Sequence, residues 1–393
     1  MSILFMGNIP KDRGGKQTSG LSIAVFETAL SISRSFEGSV KIYATDLKEN
    51  KSIDNLDILS VSNLSSIINL LKSPLLSLQI LLILIKTYRT SLLSIFKELL
   101  KSVNFLNLCS KYNIKTVSLH GATTYHLINF LKKKKIEVYV TIHGVNSEDD
   151  CVHPLIAFQD KKMSESNFDG LIFVSNTSRN IWENLYGKKA QHFTVRNGID
   201  LSKFSGVASS KKVKKDKITI CSVGAISELK GQLRVLKALI LSNRKDIRYV
   251  CCGVANSNIL DKMLVLAKNS DIDFIYEGVL SQFQVIELLK NSDYMILPSK
   301  REGFGLSYLE SVLIGTKIIL PKEATIIKEL PWIIDYSLLI NDWSVESIYK
   351  QIMTLKPSKE FVKIEDNLKK NLSWNKSAEL YNDIFNHIFE KRI

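Results

Sequence analysis

The chain has 393 residues, more than a single hydrophobic core usually contains, so two domains are expected. Its 45% hydrophobic and 23% charged residues are typical of a globular protein and exclude a disordered chain. The formal net charge of +14 favours an anionic partner such as a nucleotide, a nucleic acid or an acidic membrane. The basic residues form no charged tail, however, so we do not expect nucleic-acid binding.

The N-terminal segment MSILFMGNIPKDRGG does not have the basic region, long apolar run and cleavage site of a secretory signal. We therefore expect a cytoplasmic protein. The five cysteines show no spacing typical of a metal site, and most lie in or beside apolar segments. We interpret them as reduced structural thiols.

The strand-like runs are short, rich in β-branched residues and separated by helical patterns, as in βαβ units that build a parallel sheet. Before residue 205 the runs are ILFMG, VKIYAT, LDILSV, KTVSLHG, EVYVTIHG, GLIFVS and HFTVRNG. After residue 217 they are ITICSVGAI, IRYVCCGV, DFIYEGV, YMILPS and KIILP. The pattern predicts an α/β protein with two doubly wound, Rossmann-like domains.

The segment 205–217, SGVASSKKVKKDK, is small, polar and basic and reads as a linker. We therefore expect an N-terminal domain over 1–204 and a C-terminal domain over 218–370. The final segment, 371–393, is expected to form a helix that packs back on the first domain. Ligands of doubly wound sheets bind at the carboxyl ends of the strands, so the default site is a central cleft that both domains face.

An apolar segment, 75–108, allows two interpretations. Its apolar run before the first lysine is about half of the ~20 residues that span a bilayer, so no transmembrane helix is expected. Wound as one helix, it lies either on an anionic membrane surface or in the core of the first domain with its basic residues facing water. Those basic residues share an arc of about 120° and are Lys86, Arg89, Lys97 and Lys101.

Three glycine-containing turns follow predicted strands and precede helices, where backbone N–H groups can hold phosphate. The turn GNIPKDRGGKQTSG contains Gly14 and Gly15, which allow the backbone to approach a ligand. The turn VGAISELKGQ places Lys230 immediately before a helix. In the turn REGFGL, Gly303 and Gly305 open the next helix. None has the G-x-G-x-x-G spacing of a dinucleotide site.

The helix after REGFGL carries a carboxylate on its apolar face. At 100° per residue, Glu310 lies between Leu306 and Ile314, and no Lys or Arg stands three or four positions away. An unpaired buried carboxylate costs several kcal/mol or takes up a proton. Glu310 is therefore predicted to bind either a ligand or a distant polar group of the protein.

Several segments, in their order along the chain, resemble the retaining glycosyltransferases of family 4, which have the GT-B fold. PSKREGFGLSYLESVLIGT resembles the E-x7-E segment of that family, and VRNGIDLSKF resembles the segment that precedes its linker, with Asn197 and Gly198 as the N-G pair. FDGLIFVSNTSRNIWENLYG, YEGVLSQFQVIELLKNSDYMILPS and LSWNKSAELYNDI also follow its pattern. The resemblance extends over most of the chain and is densest over about 137–320.

The resemblance implies specific roles for the residues in these segments. Glu310 would hold the ribose hydroxyls of a nucleotide-sugar, Glu302 would contact the donor sugar, and Lys230 would contact the diphosphate. His143 resembles an active-site histidine near the donor sugar, and His120 is a weaker candidate for the acceptor side. The backbone amides that would cradle phosphate and sugar are those of Gly303, Phe304, Gly305 and Leu306.

The chain departs from the family at Ala225, where an arginine usually follows the glycine of the VG turn. Arg301 or Arg196 is a candidate to supply the missing charge. We expect neither a metal nor another cofactor, because a basic residue and a helix N-terminus can act on a diphosphate without one. The acidic cluster 148–150 is interpreted as a solvated loop. Diphosphate departure would then be stabilised by a basic residue and a helix N-terminus.

The predicted function is retaining transfer of a sugar, from a nucleoside diphosphate sugar to a hydroxyl of a saccharide. The acceptor is expected to be a lipid-linked saccharide of a bacterial envelope polysaccharide, reached from the cytoplasmic side of the membrane. Three alternatives remain: a sugar-nucleotide epimerase or phosphorylase on the same fold, a non-catalytic partner of another transferase, and a nucleic-acid-binding protein suggested by charge alone.

Overall fold

The computed structural model describes residues 2–16, 20–47, 49–87, 91–145, 154–204, 216–358, 364–365, 368–369 and 371–390. The chain divides into two compact units, Met1–Gly198 with Trp374–Ile393, and Ile199–Ser373. The division falls before the expected boundary at 204, because the Ile199 N–H donates to the Leu372 carbonyl of the C-terminal unit (2.7 Å). Most of the expected linker, 205–215, lies outside the described residues, as does the acidic cluster 148–150.

The N-terminal unit contains an eight-stranded sheet. Its strands are β1 (Ser2–Gly7), β2 (Ser39–Ala44), β3 (Lys51–Ile53), β4 (Leu56–Leu59), β5 (Thr116–His120), β6 (Glu137–Ile142), β7 (Gly170–Phe173) and β8 (Gln191–Thr194). The spatial order is β3-β4-β2-β1-β5-β6-β7-β8, with all pairs parallel except β3 with β4. Every strand predicted before residue 205 is confirmed; the short antiparallel β3 was not predicted.

The C-terminal unit contains a six-stranded, wholly parallel sheet. Its strands are β9 (Ile218–Val223), β10 (Ile247–Cys252), β11 (Asp273–Tyr276), β12 (Tyr294–Ile296), β13 (Lys317–Pro321) and β14 (Ser337–Ile340). The order is β11-β10-β9-β12-β13-β14, which is that of a dinucleotide-binding Rossmann sheet. The five strands predicted in this half are confirmed, and β14 at the edge was missed.

The helices connect successive strands, as parallel pairing requires. Their N-termini are commonly set by Ser or Asn side chains that accept a first-turn N–H. The helices are α1 (Gly20–Ser35), α2 (Asn63–Lys72), α3 (Pro74–Thr87), α4 (Leu92–Lys111), α5 (Tyr125–Lys133), α6 (Pro154–Ser164), α7 (Asn176–Tyr186), α8 (Gln232–Ser242), α9 (Ser257–Asn269), α10 (Gln282–Lys290), α11 (Leu306–Ile314), α12 (Thr325–Glu329), α13 (Val345–Met353) and α14 (Trp374–Glu390).

Both faces of the N-terminal sheet are covered, which explains why its central strand β1 is apolar on both sides over residues 3–6. In β1, Leu4 and Met6 pack with α3, α4 and α5, whereas Ile3 and Phe5 pack with α1 and α14. The alternation follows from the two-residue period of a strand. The C-terminal helix α14 is thus part of the N-terminal core, where Phe385 is buried.

The apolar segment 75–108 forms two helices rather than one. α4 begins anew after Ser91, whose side chain accepts a backbone N–H of the first turn. The prediction of one basic arc on a continuous helix is therefore wrong. Its basic residues are divided, with Lys86 on α3, Lys97 and Lys101 on α4, and Arg89 outside the described residues.

α2, α3 and α4 pack together in the N-terminal unit. The Asn69 side-chain amide on α2 donates to Asn104 on α4 (2.8 Å), and Ile80 and Leu84 of α3 enter the same core as Leu99 of α4. Within the part of the chain that the structure describes, no single helix is long and apolar enough to cross a membrane. α2 and α3, separated by a bend of 103°, meet that length and composition only as a pair.

The turn after β1 brings two stretches of backbone into very close approach. Asp46, just after β2, accepts the Ile9 N–H (3.3 Å) and holds the turn against the sheet. A Cβ added to Gly15 would lie 1.9 Å from the Ile9 carbonyl oxygen, and Gly14 has a φ of 87°. The turn therefore needs both glycines for its own conformation.

Gly15→Ala should lower the free energy of unfolding by about 3 kcal/mol, the cost of forcing atoms into a packed site. Gly20→Ala is the matched control, because a Cβ at Gly20 meets no atom within 4 Å. Urea unfolding of both variants measures the difference. Equal changes for the two variants would contradict the close approach at Gly15.

Candidate active site

Both sheets reverse their strand order beside their first strand. In the C-terminal sheet, β10 and β11 lie on one side of β9, whereas β12, β13 and β14 lie on the other. The turns that follow β9 and β12 therefore lead to opposite faces of the sheet and leave a crevice at the carboxyl ends of the two strands, where such sheets bind ligands. In the N-terminal sheet the corresponding strands are β1 and β5.

At the β9–β12 crevice, the structure brings together Lys230 and Glu302, two of the predicted site residues. Lys230 follows β9 and Glu302 follows β12, and the Lys230 Nζ lies 2.6 Å from the Glu302 Oε1. Both side chains are largely but not completely buried. Sequence reasoning placed the two residues in one site but did not predict that they pair with each other.

Backbone and arginine contacts hold the two turns together. The Lys300 N–H donates to the Leu229 carbonyl (3.0 Å), and the Arg234 guanidinium donates to the Pro298 carbonyl (2.8 Å). Gly231, the N-cap of α8, has a φ of 82°, and an added Cβ would lie 2.7 Å from the Pro298 oxygen. The glycine beside Lys230 is therefore needed for the two turns to meet.

Buried side chains hold the turn that begins α11 in place. The Tyr308 hydroxyl donates to the Leu297 carbonyl, and Phe304 is buried. Gly305 caps the helix with a φ of 99°, and Thr325 donates to the Glu302 carbonyl (3.1 Å). The first N–H groups of a helix have no partner within it, so the amides from Gly303 to Leu306 lie at a terminus suited to an anion.

Glu310, one turn further along α11, is half-buried and has polar partners from elsewhere in the C-terminal unit. The Gln282 side chain is hydrogen-bonded to its carboxylate, and the Lys203 ammonium lies near enough to favour its charged form. Lys203 also donates to Gln282, so the three side chains form one group. Burial outweighs both favourable contacts and raises the pKa of Glu310 to about 7.

Lys203 and Gln282 are site residues that sequence reasoning missed. Positions three and four away on α11 offer Glu310 no cation; its partners come instead from the turn after residue 199 and the start of α10. A signal was present, because Lys203 lies within VRNGIDLSKF and Gln282 within the segment that contains LSQFQV. Both segments were already part of the family resemblance.

In the N-terminal unit, His120 and His143 meet at the carboxyl ends of β5 and β6. The His120 Nδ1 lies 3.0 Å from the His143 Nε2, and Ser118 contacts the other nitrogen of His120 (3.3 Å). Burial lowers the pKa of His143 to about 4, and burial together with the neighbouring His143 lowers the pKa of His120 well below its usual value. Both imidazoles are therefore neutral at pH 7.

The other predicted site residues lie in different parts of the two units. Asn197 and Gly198 end the first part of the N-terminal unit, beside Arg196, whose carbonyl accepts the Ser377 hydroxyl (2.7 Å). Ala225 is exposed after β9, and the carbonyl of Arg301 accepts the Ser299 hydroxyl (2.7 Å). Replacement of the family arginine by Arg301 or Arg196 stays a prediction. Among the described residues, no three or more His, Cys, Asp or Glu side chains cluster as metal ligands.

Comparison with known proteins relates this chain to glycosyltransferases. Residues 207–371 match the family model of the glycosyl transferases group 1. An uncharacterized glycosyltransferase of Methanocaldococcus jannaschii is 29% identical over 280 residues, covering 66% of this chain and 70% of that protein. The C-terminal unit is thus similar to the group 1 glycosyltransferases, and the chain is an enzyme of the glycosyltransferase class.

Two further proteins are similar to this glycosyltransferase. The α-monoglucosyldiacylglycerol synthase of Streptococcus pneumoniae is 27% identical over 165 residues, 38% of this chain and 37% of that protein. The solved sucrose-phosphate synthase of Thermosynechococcus elongatus superposes with a TM-score of 0.73 at 13% identity, over 99% of each chain. The fold is thus the GT-B type that the sequence resemblance implied, and the enzyme is a transferase.

Glu310→Gln should make the unfolding free energy less dependent on pH. Because the folded pKa of about 7 exceeds the ordinary value of 4.5, the folded protein binds more protons between these pH values, and its stability falls as the pH rises through them. Glutamine has no carboxyl proton to lose, so the variant does not show this pH dependence. The variant should therefore be more stable than the parent at pH 8 by about 1–3 kcal/mol and gain nothing at pH 4.5.

Urea unfolding across this pH interval measures the effect. Glu346→Gln is the control, because Glu346 is an exposed residue of α13 that pairs with Lys350 one turn along the same helix. If the two glutamine variants show the same pH dependence, Glu310 is not desolvated as the structure indicates.

Proposed function

We propose that this glycosyltransferase transfers a sugar from a nucleoside diphosphate sugar to a hydroxyl of a saccharide, with retention of anomeric configuration. The observation that carries the proposal is the meeting of Lys230 and Glu302 at the β9–β12 crevice, beside the N-termini of α8 and α11. A cation and two helix N-termini suit a diphosphate, and a carboxylate suits the hydroxyls of a sugar.

The pairing of Lys230 with Glu302 has a consequence for donor binding. A diphosphate carries more negative charge than one carboxylate and would compete for the Lys230 ammonium. Glu302 would then accept hydrogen bonds from hydroxyl groups of the donor sugar. Because both side chains are mostly buried, these charge-assisted bonds are stronger than they would be in water.

Glu310 is assigned to the ribose of the donor. An ionised carboxylate accepts two hydroxyl donors at once, and vicinal ribose hydroxyls provide them. Gln282 and Lys203 would keep the carboxylate in place beside the ligand. With a pKa of about 7, the carboxyl is only partly ionised near neutral pH, so donor affinity should increase as the pH rises above 7.

Transfer with retention places the acceptor hydroxyl on the face of the sugar that the diphosphate leaves. Charge builds up on the leaving oxygen, and Lys230 with the amides of Gly303 to Leu306 would stabilise it. The neutral imidazole of His143 is suited to hydrogen-bond a sugar hydroxyl rather than to neutralise phosphate. The leaving diphosphate itself would accept the proton of the attacking hydroxyl.

The acceptor is proposed to be a lipid-linked saccharide of a bacterial envelope polysaccharide, presented at the cytoplasmic face of the membrane. Support comes from the resemblance stated above and from a relative whose name describes synthesis of a glucosylated diacylglycerol. The net charge of +14 would favour approach to anionic lipid.

Lys230→Ala should weaken binding of a nucleoside diphosphate sugar by about 1.5–3 kcal/mol, the worth of a hydrogen bond to a charged group. Isothermal titration with a panel of such donors first identifies the ligand and then measures the loss. Lys237→Ala is the control, because Lys237 is an exposed lysine on the same helix α8. Unchanged affinity in Lys230→Ala would remove Lys230 from the site.

His143→Ala should lower kcat at least about tenfold while the chain stays folded, because it removes a hydrogen-bond donor near the donor sugar. His192→Ala is the matched control: His192 is a buried histidine paired with Glu183 at 2.8 Å and has no proposed role in catalysis. Transfer assays and thermal unfolding compare the two. Lost stability with normal activity per folded molecule in His143→Ala would assign His143 to the core.

A further inference from the structure

The N-terminal unit has an unusual concentration of exposed aliphatic side chains on α2, α3 and the start of α4. Leu75 is 76% exposed and Leu92 is 81% exposed. We call these residues the apolar face. They are Leu64, Ile67, Ile68, Leu71, Leu75, Leu78, Leu82, Ile85, Leu92, Leu93 and Phe96.

The apolar face is not the core-facing side of these helices. On α3 the exposed positions 75, 78, 82 and 85 follow the spacing of one helical face, and the buried positions 80, 84 and 87 follow that of the opposite face. α3 is thus apolar on both sides, and only one side packs against the protein core. Helices that are apolar all round normally lie entirely inside a protein or a membrane.

The charges around the apolar face have nearly one sign. Between residues 63 and 101 the sequence contains five basic residues and a single acidic one, Glu98. Glu98 is partly buried and lies beside Lys101 and His126. Lys72, Lys86 and Lys97 are exposed, so the surface next to the leucines is cationic.

This composition favours lipid over protein as the occupant. Protein interfaces are enriched in Trp, Tyr and Arg and depleted in Lys, and leucine is under-represented among their strongest contacts. The apolar face has ten aliphatic residues and one phenylalanine, with lysines beside them. Aliphatic insertion combined with lysines is the pattern of helices that lie in the interface of an anionic bilayer.

We propose that the apolar face of α2, α3 and the start of α4 inserts into the headgroup and upper acyl region of an anionic lipid bilayer. Lys72, Lys86 and Lys97 contact the lipid phosphates beside it. The contact requires no sugar donor, so it can hold or fail independently of the proposed transfer. It differs from adsorption by charge alone, because the leucines themselves enter the bilayer.

The first measurement is co-sedimentation of the full chain with two kinds of vesicle. One contains phosphatidylcholine alone, and the other contains phosphatidylcholine mixed with phosphatidylglycerol. Binding to the anionic vesicles should exceed binding to the neutral ones at least about tenfold. The absence of binding to either would overturn the proposal.

Two sets of variants separate insertion from charge. Leu75→Gln with Leu78→Gln and Leu82→Gln should weaken binding to the anionic vesicles at least about tenfold. The matched control is Leu241→Gln with Leu264→Gln and Leu380→Gln, which changes exposed leucines on other helices and should leave binding unchanged. Lys72→Gln with Lys86→Gln and Lys97→Gln should abolish the preference for anionic lipid. Thermal unfolding verifies that each variant is folded.

Depth of insertion is measured with a tryptophan probe. The fluorescence of Leu78→Trp should be quenched by vesicles whose acyl chains carry bromine, beyond any quenching of the parent protein, whereas that of Leu264→Trp should not. Binding that persists in the leucine variant, or no added quenching in Leu78→Trp, would overturn insertion. So would a chain that binds no vesicles but forms a dimer that the leucine variant dissociates, since the face would then be an interface between copies.

Discussion

The site in the C-terminal unit depends on the reversal of strand order between β9 and β12. The segments that follow these two neighbouring strands lead to opposite faces of the sheet, so the turns at their starts lie on either side of a crevice. Lys230 and Glu302 meet there as an ion pair, although they are 72 positions apart in the chain. The contact requires close backbone approach, because a side chain at Gly231 would collide with the Pro298 carbonyl. The strand order of the sheet thus determines that a cation and a carboxylate meet at this crevice.

The C-terminal unit contains a second ionisable group, a glutamate whose negative charge is only partly neutralised by its neighbours. Glu310 has Gln282 and Lys203 beside it, and its pKa is nevertheless raised because the surrounding atoms exclude water. A desolvated carboxylate forms stronger hydrogen bonds with a ligand hydroxyl than a solvated one does. The cost in stability and the proposed gain in binding would therefore have one physical origin, as is typical of sites organised before their ligand binds.

The N-terminal unit faces a different constraint, which concerns apolar surface rather than charge. Its sheet has two covered faces, and the core between the sheet and α3 uses only one side of that helix. Leu75, Leu78 and Leu82 remain outside. Proteins rarely expose large contiguous apolar patches without a use for them. A bilayer contact would place this surface in an apolar medium while the lysines around it stay near phosphate.

The sequence by itself determined the α/β class, most of the parallel strands, the glycine turns and the unusual position of Glu310, because each depends on residues close together in the chain. It did not show β3 and β14, which are edge strands of three and four residues. Nor did it separate α3 from α4, since a wheel assumes a continuous helix. Only the tertiary structure decided that Lys230 pairs with Glu302, that Lys203 and Gln282 reach Glu310, and that one side of α3 lies outside the core. These contacts depend on strand order and helix packing, which bring distant segments within a few ångströms and have no signature in local spacing.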